Sequence, residues 1–158
     1  MESFMINVGR RIQVNAEPDA DGVRLNRSQV WEGLVSKARN AVPFVSAITE
    51  CNIVEDKGDR FIREVLLHGE RLQELVILTE EQQVEFVRLS GNARGIIKNV
   101  IEEENGELYL RFTFDFSLPG AKPGSEEETA FAEGMQKSYL GAVKSTLDTI
   151  RRKVKKAA

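Results

Sequence analysis

Three polar side chains stand out in otherwise apolar strand-like segments: Glu64 in FIREVLLHG, Arg88 in VEFVRLS and Asn99 in IIKNVIE. A carboxylate, a guanidinium and an amide that converge on an apolar space can orient or deprotonate a polarised ligand and hold an oxyanion. Each also has a plainer reading. An isolated charge in an apolar cavity is costly, so Glu64 and Arg88 should pair with each other, meet water at a rim, or meet a ligand. Asn99 is either a satisfied core amide or a ligand contact.

Other chemistry has little to stand on. The chain holds one histidine and one cysteine, so a structural zinc site lacks ligands and no metal or other cofactor is expected. His68 falls beside a hairpin turn with no nucleophile motif near it, which argues against a Ser-His-acid triad. Cys51 reads as a small buried hydrophobe. Gly91 and Gly95 mark turns and form neither a phosphate loop nor a dinucleotide fingerprint. The basic run Arg151, Arg152, Lys153, Lys155 and Lys156 complements the negative end of a helix dipole. Trp31 and Tyr139 read as core packing. No motif requires a reaction.

The elements that must position these groups follow from periodicity. Phe4, Ile6, Val8, Ile12 and Val14 share one parity of a first strand over 3–14. EPDADG reads as a loop. Asn26, with Gln29 three residues on and Leu25 able to staple onto Val30, opens a helix that Asn40 and Pro43 end. A further short helix or turn is expected over 42–47. From Ile48 the period becomes two, and strands are expected over 48–55, 60–67, 71–78, 83–89, 95–103 and 107–116. Asn105-Gly106 between apolar runs is a strong two-residue hairpin signal. After the linker LPGAKPGS, Ser125 and Glu128 cap a final helix over 126–156, about 46 Å long at about 1.5 Å per residue.

This order predicts an α+β domain over 1–158: a seven-stranded curved antiparallel sheet around a long C-terminal helix, with one or two short helices after the first strand. The final helix offers Phe131, Met135, Tyr139, Ala142, Val143, Thr146, Ile150 and Val154 to the sheet. One helix cannot fill such a concave face everywhere, so a pocket is expected between them. The Asn105-Gly106 turn sets Ile101 opposite Leu110 and Asn99 opposite Phe112, with Phe114 on the same inner face. Two-residue turns at Lys57-Gly58, Gly69-Glu70 and Glu81-Gln82 carry the inner face to Cys51, Ile53, Ile62, Glu64, Leu66, Leu75, Ile77, Val84, Phe86 and Arg88. Glu64 and Arg88 then share one row across Leu75. Arg63 and Glu74 become a diagonal pair on the outer face, worth little. The expected pocket is therefore lined by Glu64, Leu66, Leu75, Ile77, Phe86, Arg88, Asn99, Ile101, Leu110, Phe112, Phe114, Met135 and Tyr139. The outer set, with Phe61, Val65 and Val76, is apolar enough to suggest a homodimer contact.

Composition bounds the partners. At 158 residues, 41% hydrophobic and 30% charged, with a net charge of -3, the chain has a sizeable core and no basic face for nucleic acid. The lone cysteine suits a reducing compartment. No apolar run approaches the roughly 20 residues of a membrane span, and MESFMINVGRR lacks a secretory layout. A cytoplasmic location is expected.

VNAEPDADGVRLNRSQVWEGLVSKARN, FVSAITECNIVED, REVLLHG, QELVIL and NGELYLRFTFDFSLPG resemble the AtaL-like family of the SRPBCC superfamily, the START and birch-pollen-allergen helix-grip fold. LNRSQVWEGLVSKARN is the most specific piece, and the likeness spans nearly the whole chain. The resemblance implies binding of a hydrophobic small molecule, such as a lipid, polyketide or aromatic metabolite, between sheet and long helix. Some superfamily members are polyketide cyclases or aromatases, and others act as co-chaperone-like interaction modules. It implies no catalytic residue set.

Overall fold

The computed structural model describes residues 6–15, 23–91, 94–117 and 125–157. Phe4, the expected loops at 17–22 and 118–124, and the side chains of Met135, Tyr139 and Ala142 lie outside the described residues. Seven strands form one antiparallel sheet: β1 (Ile6–Gln13), β2 (Ile48–Asp56), β3 (Arg60–Leu67), β4 (Glu70–Thr79), β5 (Gln83–Arg88), β6 (Arg94–Glu104) and β7 (Glu107–Ser117). Their order across the sheet is β1-β7-β6-β5-β4-β3-β2. From β2 onward each strand lies beside its sequence neighbour, as short turns require. Helix α1 (Arg27–Arg39) follows β1 and helix α2 (Glu126–Ala157) closes the chain.

Local chemistry explains these boundaries. The Asn26 side chain accepts from the Gln29 backbone N–H at 2.8 Å, and the Gln29 side chain accepts from the Asn26 N–H at 2.9 Å. That reciprocal cap starts α1, and Leu25 and Val30 beside it are buried. Residues 42–44 and 46–47 form turns rather than a second helix. The His68-Gly69 and Asn105-Gly106 loops both have two residues at positive φ, the geometry that matches hairpin twist.

Leu108, Leu110, Phe112, Phe114 and Phe116 all point into the core, as the β7 alternation predicts. Val143, Leu147 and Ile150 of α2 pack there too. A Cβ on Gly33 of α1 would stand 2.3 Å from Ile150, so only glycine allows the two helices to approach this closely at that point.

The inner face of β3 and β4 is the opposite of the expected one. Phe61, Arg63, Val65, Leu72, Glu74 and Val76 are buried, whereas Ile62, Glu64, Leu66, Leu75 and Ile77 alternate with them on the outer face. Two irregularities explain the reversal. A register shift in β2 between Ile53 and Glu55 sets Ile53 opposite Arg63, and Cys51 opposite Val65. The β4–β5 loop has three residues, not two, so Thr79 faces Gln83 and Glu74 faces Arg88. Each extra residue inverts side-chain parity. Together they cancel, which is why Cys51, Ile53, Val84, Phe86 and Arg88 fall on the expected side. The outer face of β3 and β4 therefore carries Ile62, Leu66, Leu75 and Ile77 in place of Phe61, Val65 and Val76, which are core residues.

Candidate functional site

A hollow of about 140 Å³ lies between the sheet, the α1–β2 connection and α2. Its walls are largely apolar: Ala41, Val45, Ile48, Val65, Phe86, Ile97 and Val143. Four charged side chains also line it: Lys37, Arg63, Glu74 and Arg88.

Arg63 organises this group. Its Nε and Nη2 donate to Glu74 Oε1 at 3.0 and 2.9 Å. Its Nη1 donates to the carbonyls of Ala38 at 3.0 Å and Lys37 at 3.3 Å. These are among the last carbonyls of α1, which have no partner within the helix. One guanidinium thus ties the C-terminal end of α1 to the sheet, at the negative pole of the helix. It also lies 4.6 Å from the Phe86 ring centroid. Across the strands, Arg63 faces Glu74 and Glu74 faces Arg88. Arg88 Nη2 stands 3.5 Å from Glu74 Oε2, and its guanidinium lies 5.1 Å from the Phe116 centroid.

Burial alone would raise the Glu74 carboxyl, but Arg63 and then Arg88 outweigh it and hold it below the usual carboxylate range. Lys37 shows the converse. Desolvation is the main cause of its lowering to about 7; repulsion from Arg63 adds to this and attraction to Glu74 partly opposes it. Its Nζ donates to Asn99 Oδ1 at 2.5 Å. Its protonation equilibrium therefore falls in the physiological range.

The expected pocket residues divide accordingly. Phe86 and Arg88 line the hollow, and Asn99 reaches it through Lys37 while facing Phe112 in register. Ile101, Leu110, Phe112 and Phe114 belong to the buried core on the same face. Glu64, Leu66, Leu75 and Ile77 are on the far side of the sheet. Glu64 accepts from Arg71 at 3.1 Å there, in a half-exposed pair. His68 is an exposed turn residue at the rim of the hollow. Arg63 and Glu74, read as a weak surface pair, are the central ion pair. Lys37 was not singled out, although its position three residues after Leu34 and seven after Val30 places it on the apolar face of α1. Among the described residues no cluster of His, Cys, Asp and Glu could hold a metal ion, and no helix is long and apolar enough to cross a membrane.

Residues 11–157 match the family described as AtaL, acetylaranotin biosynthesis cluster protein L. The Aspergillus terreus protein of that name is 21% identical over 152 residues, which cover 95% of this chain and 90% of that protein. Among solved structures, the Zhui aromatase/cyclase of a Streptomyces species superposes with a TM-score of 0.74 at 16% identity, covering 94% of each chain. Ara h 8.0201 superposes with a TM-score of 0.65 at 12% identity, covering 91% of this chain and 96% of that one. At such identities the structural likeness speaks for the shared sheet-and-helix fold.

Proposed function

The chain belongs to the family of acetylaranotin biosynthesis cluster protein L, and on that premise we propose that it binds a hydrophobic small molecule in the hollow between its sheet and its C-terminal helix. The observation that carries this reading is the hollow itself: about 140 Å³ with apolar walls from five different elements and their connections. Apolar cavities of roughly 150 Å³ take up a benzene ring, so an aromatic or small alicyclic occupant suits the volume. A lone apolar void would be a packing defect; one lined by a fixed ionic cluster has the make-up of a ligand site, apolar body and few polar anchors.

The test is uptake of phenol by isothermal titration calorimetry, in the natural chain and in Ala41→Phe. Ala41 is buried against the hollow, so the added phenyl ring occupies the space a ligand needs. Saturable binding that Ala41→Phe abolishes supports the proposal. Binding that survives Ala41→Phe in a folded variant places the probe elsewhere, and no binding to the natural chain removes the proposal.

A second reading, an aromatase/cyclase-like enzyme, is favoured by Lys37, whose amine is lowered to about 7. In that reading Lys37 accepts a proton from a carbon between two carbonyls while Arg88 holds the enolate oxygen. Turnover of a poly-β-ketone thioester that is lost in Lys37→Met, with ligand uptake retained, would distinguish it from binding alone.

A further inference from the structure

We infer that the occupant of the hollow is a ring-sized organic acid whose carboxylate docks on the buried guanidinium of Arg88. The inference rests on reading the hollow as a binding site and names the chemical class it accepts.

Charge is unbalanced around the hollow. The permanently charged guanidinium groups of Arg63 and Arg88 line it against the single carboxylate of Glu74. Arg63 is fully engaged, with two donors on Glu74 Oε1 and one on the end of α1. Lys37 is committed to Asn99. Arg88 is the least engaged of these cations. Its side chain is only 10% exposed, and among the described residues its ionic contact is Glu74 at 3.5 Å, a long and weak bond beside the two that Arg63 makes to the same carboxylate. Its Nε is buried with no hydrogen-bond partner among the described residues.

A guanidinium cannot relieve this by losing a proton. Removed from water, it needs an anionic acceptor more than any neutral one. Carboxylates match the flat donor edge of arginine. The apolar walls around Phe86, Ile97 and Val143 then set the rest of the molecule: a hydrophobic ring with one anionic end. A protonated Lys37 on the same wall would strengthen the attraction further.

The experiment compares benzoate with benzamide, which share the ring body and differ in charge, by calorimetry at about pH 8, where the carboxylic acid is ionised. In the natural chain, benzoate should bind at least about tenfold more tightly, the ratio expected of one charge-assisted contact. In Arg88→Met that ratio should fall to about twofold or less while the benzamide affinity changes little. Arg88→Lys, which keeps the charge but loses the planar guanidinium, should give an intermediate ratio. Equal affinity for the two probes in the natural chain overturns the acid requirement while leaving the hollow as a binding site, and needs no variant to fold. A benzoate preference that persists in Arg88→Met overturns the assignment to Arg88. If neither probe binds, the inference and the binding reading fall together.

Discussion

Replacing Glu74 by glutamine removes the only negative charge from the buried cluster while keeping its size and one carbonyl acceptor. In the structure, the side chains of Arg63, Glu74 and Arg88 are 6%, 4% and 10% exposed. Removing one partner of such a pair strands its cations out of water, which costs about 3–5 kcal/mol. Because glutamine still accepts from Arg63, the lower end of that range is expected. At roughly 2–4 °C per kcal/mol for a chain of this size, a loss of about 3 kcal/mol should lower the melting temperature by roughly 6–12 °C. The matched control is Glu64→Gln on the neighbouring residue of β3. Its partner Arg71 is 56% exposed and Glu64 itself is 30% exposed, so solvent screens the pair and the loss should stay below about 1 kcal/mol. Adding Arg88→Met to Glu74→Gln takes away a stranded cation and should recover part of the loss. Urea unfolding followed by circular dichroism measures all three. Similar costs for Glu64→Gln and Glu74→Gln would refute the assignment of faces to β3 and β4.

Two further predictions follow from α1. The Lys37 amine is lowered from 10.5 to about 7 on folding, so between those values the unfolded chain binds the extra proton. Stability from this group is therefore lowest below about pH 7 and grows as pH rises towards 10, by at most about 1.4 kcal/mol per pH unit; a Lys37→Met chain, compared by urea unfolding over that window, should lack this part of the slope, and identical slopes would refute a buried amine. Gly33→Ala places a methyl 2.3 Å from Ile150, and overpacking of about 1–3 kcal/mol should exceed the helix-propensity gain of about 1 kcal/mol. Ile150→Val in the same chain should restore most of the loss, and a more stable Gly33→Ala alone would show that α1 and α2 do not meet there.

Local chemistry made much of the fold legible from sequence. The β6–β7 pairing follows from Asn105-Gly106, because two residues at positive φ fix a two-residue turn and hence which side chains oppose each other. The start of α1 follows from Asn26 and Gln29, whose reciprocal hydrogen bonds need only residues three apart. Strand alternation alone turns the β7 aromatics inward. Asn99 opposite Phe112 came from the same reasoning and holds.

The site itself needed the tertiary structure. The shift at Val54 and the third residue in the Glu80-Glu81-Gln82 loop each displace pairing by one position, and neither has a distinctive local signature. One position is enough to carry Arg63 and Glu74 from the outside of the sheet to its centre, and Glu64 the other way. Lys37 and Asn99 lie 62 residues apart, and what joins them is the docking of α1 across the concave face. Sequence therefore determined the elements and their short-range partners, because those rest on interactions between near neighbours. Which charged groups share the hollow was decided only when curvature, bulge and helix docking brought distant strands together.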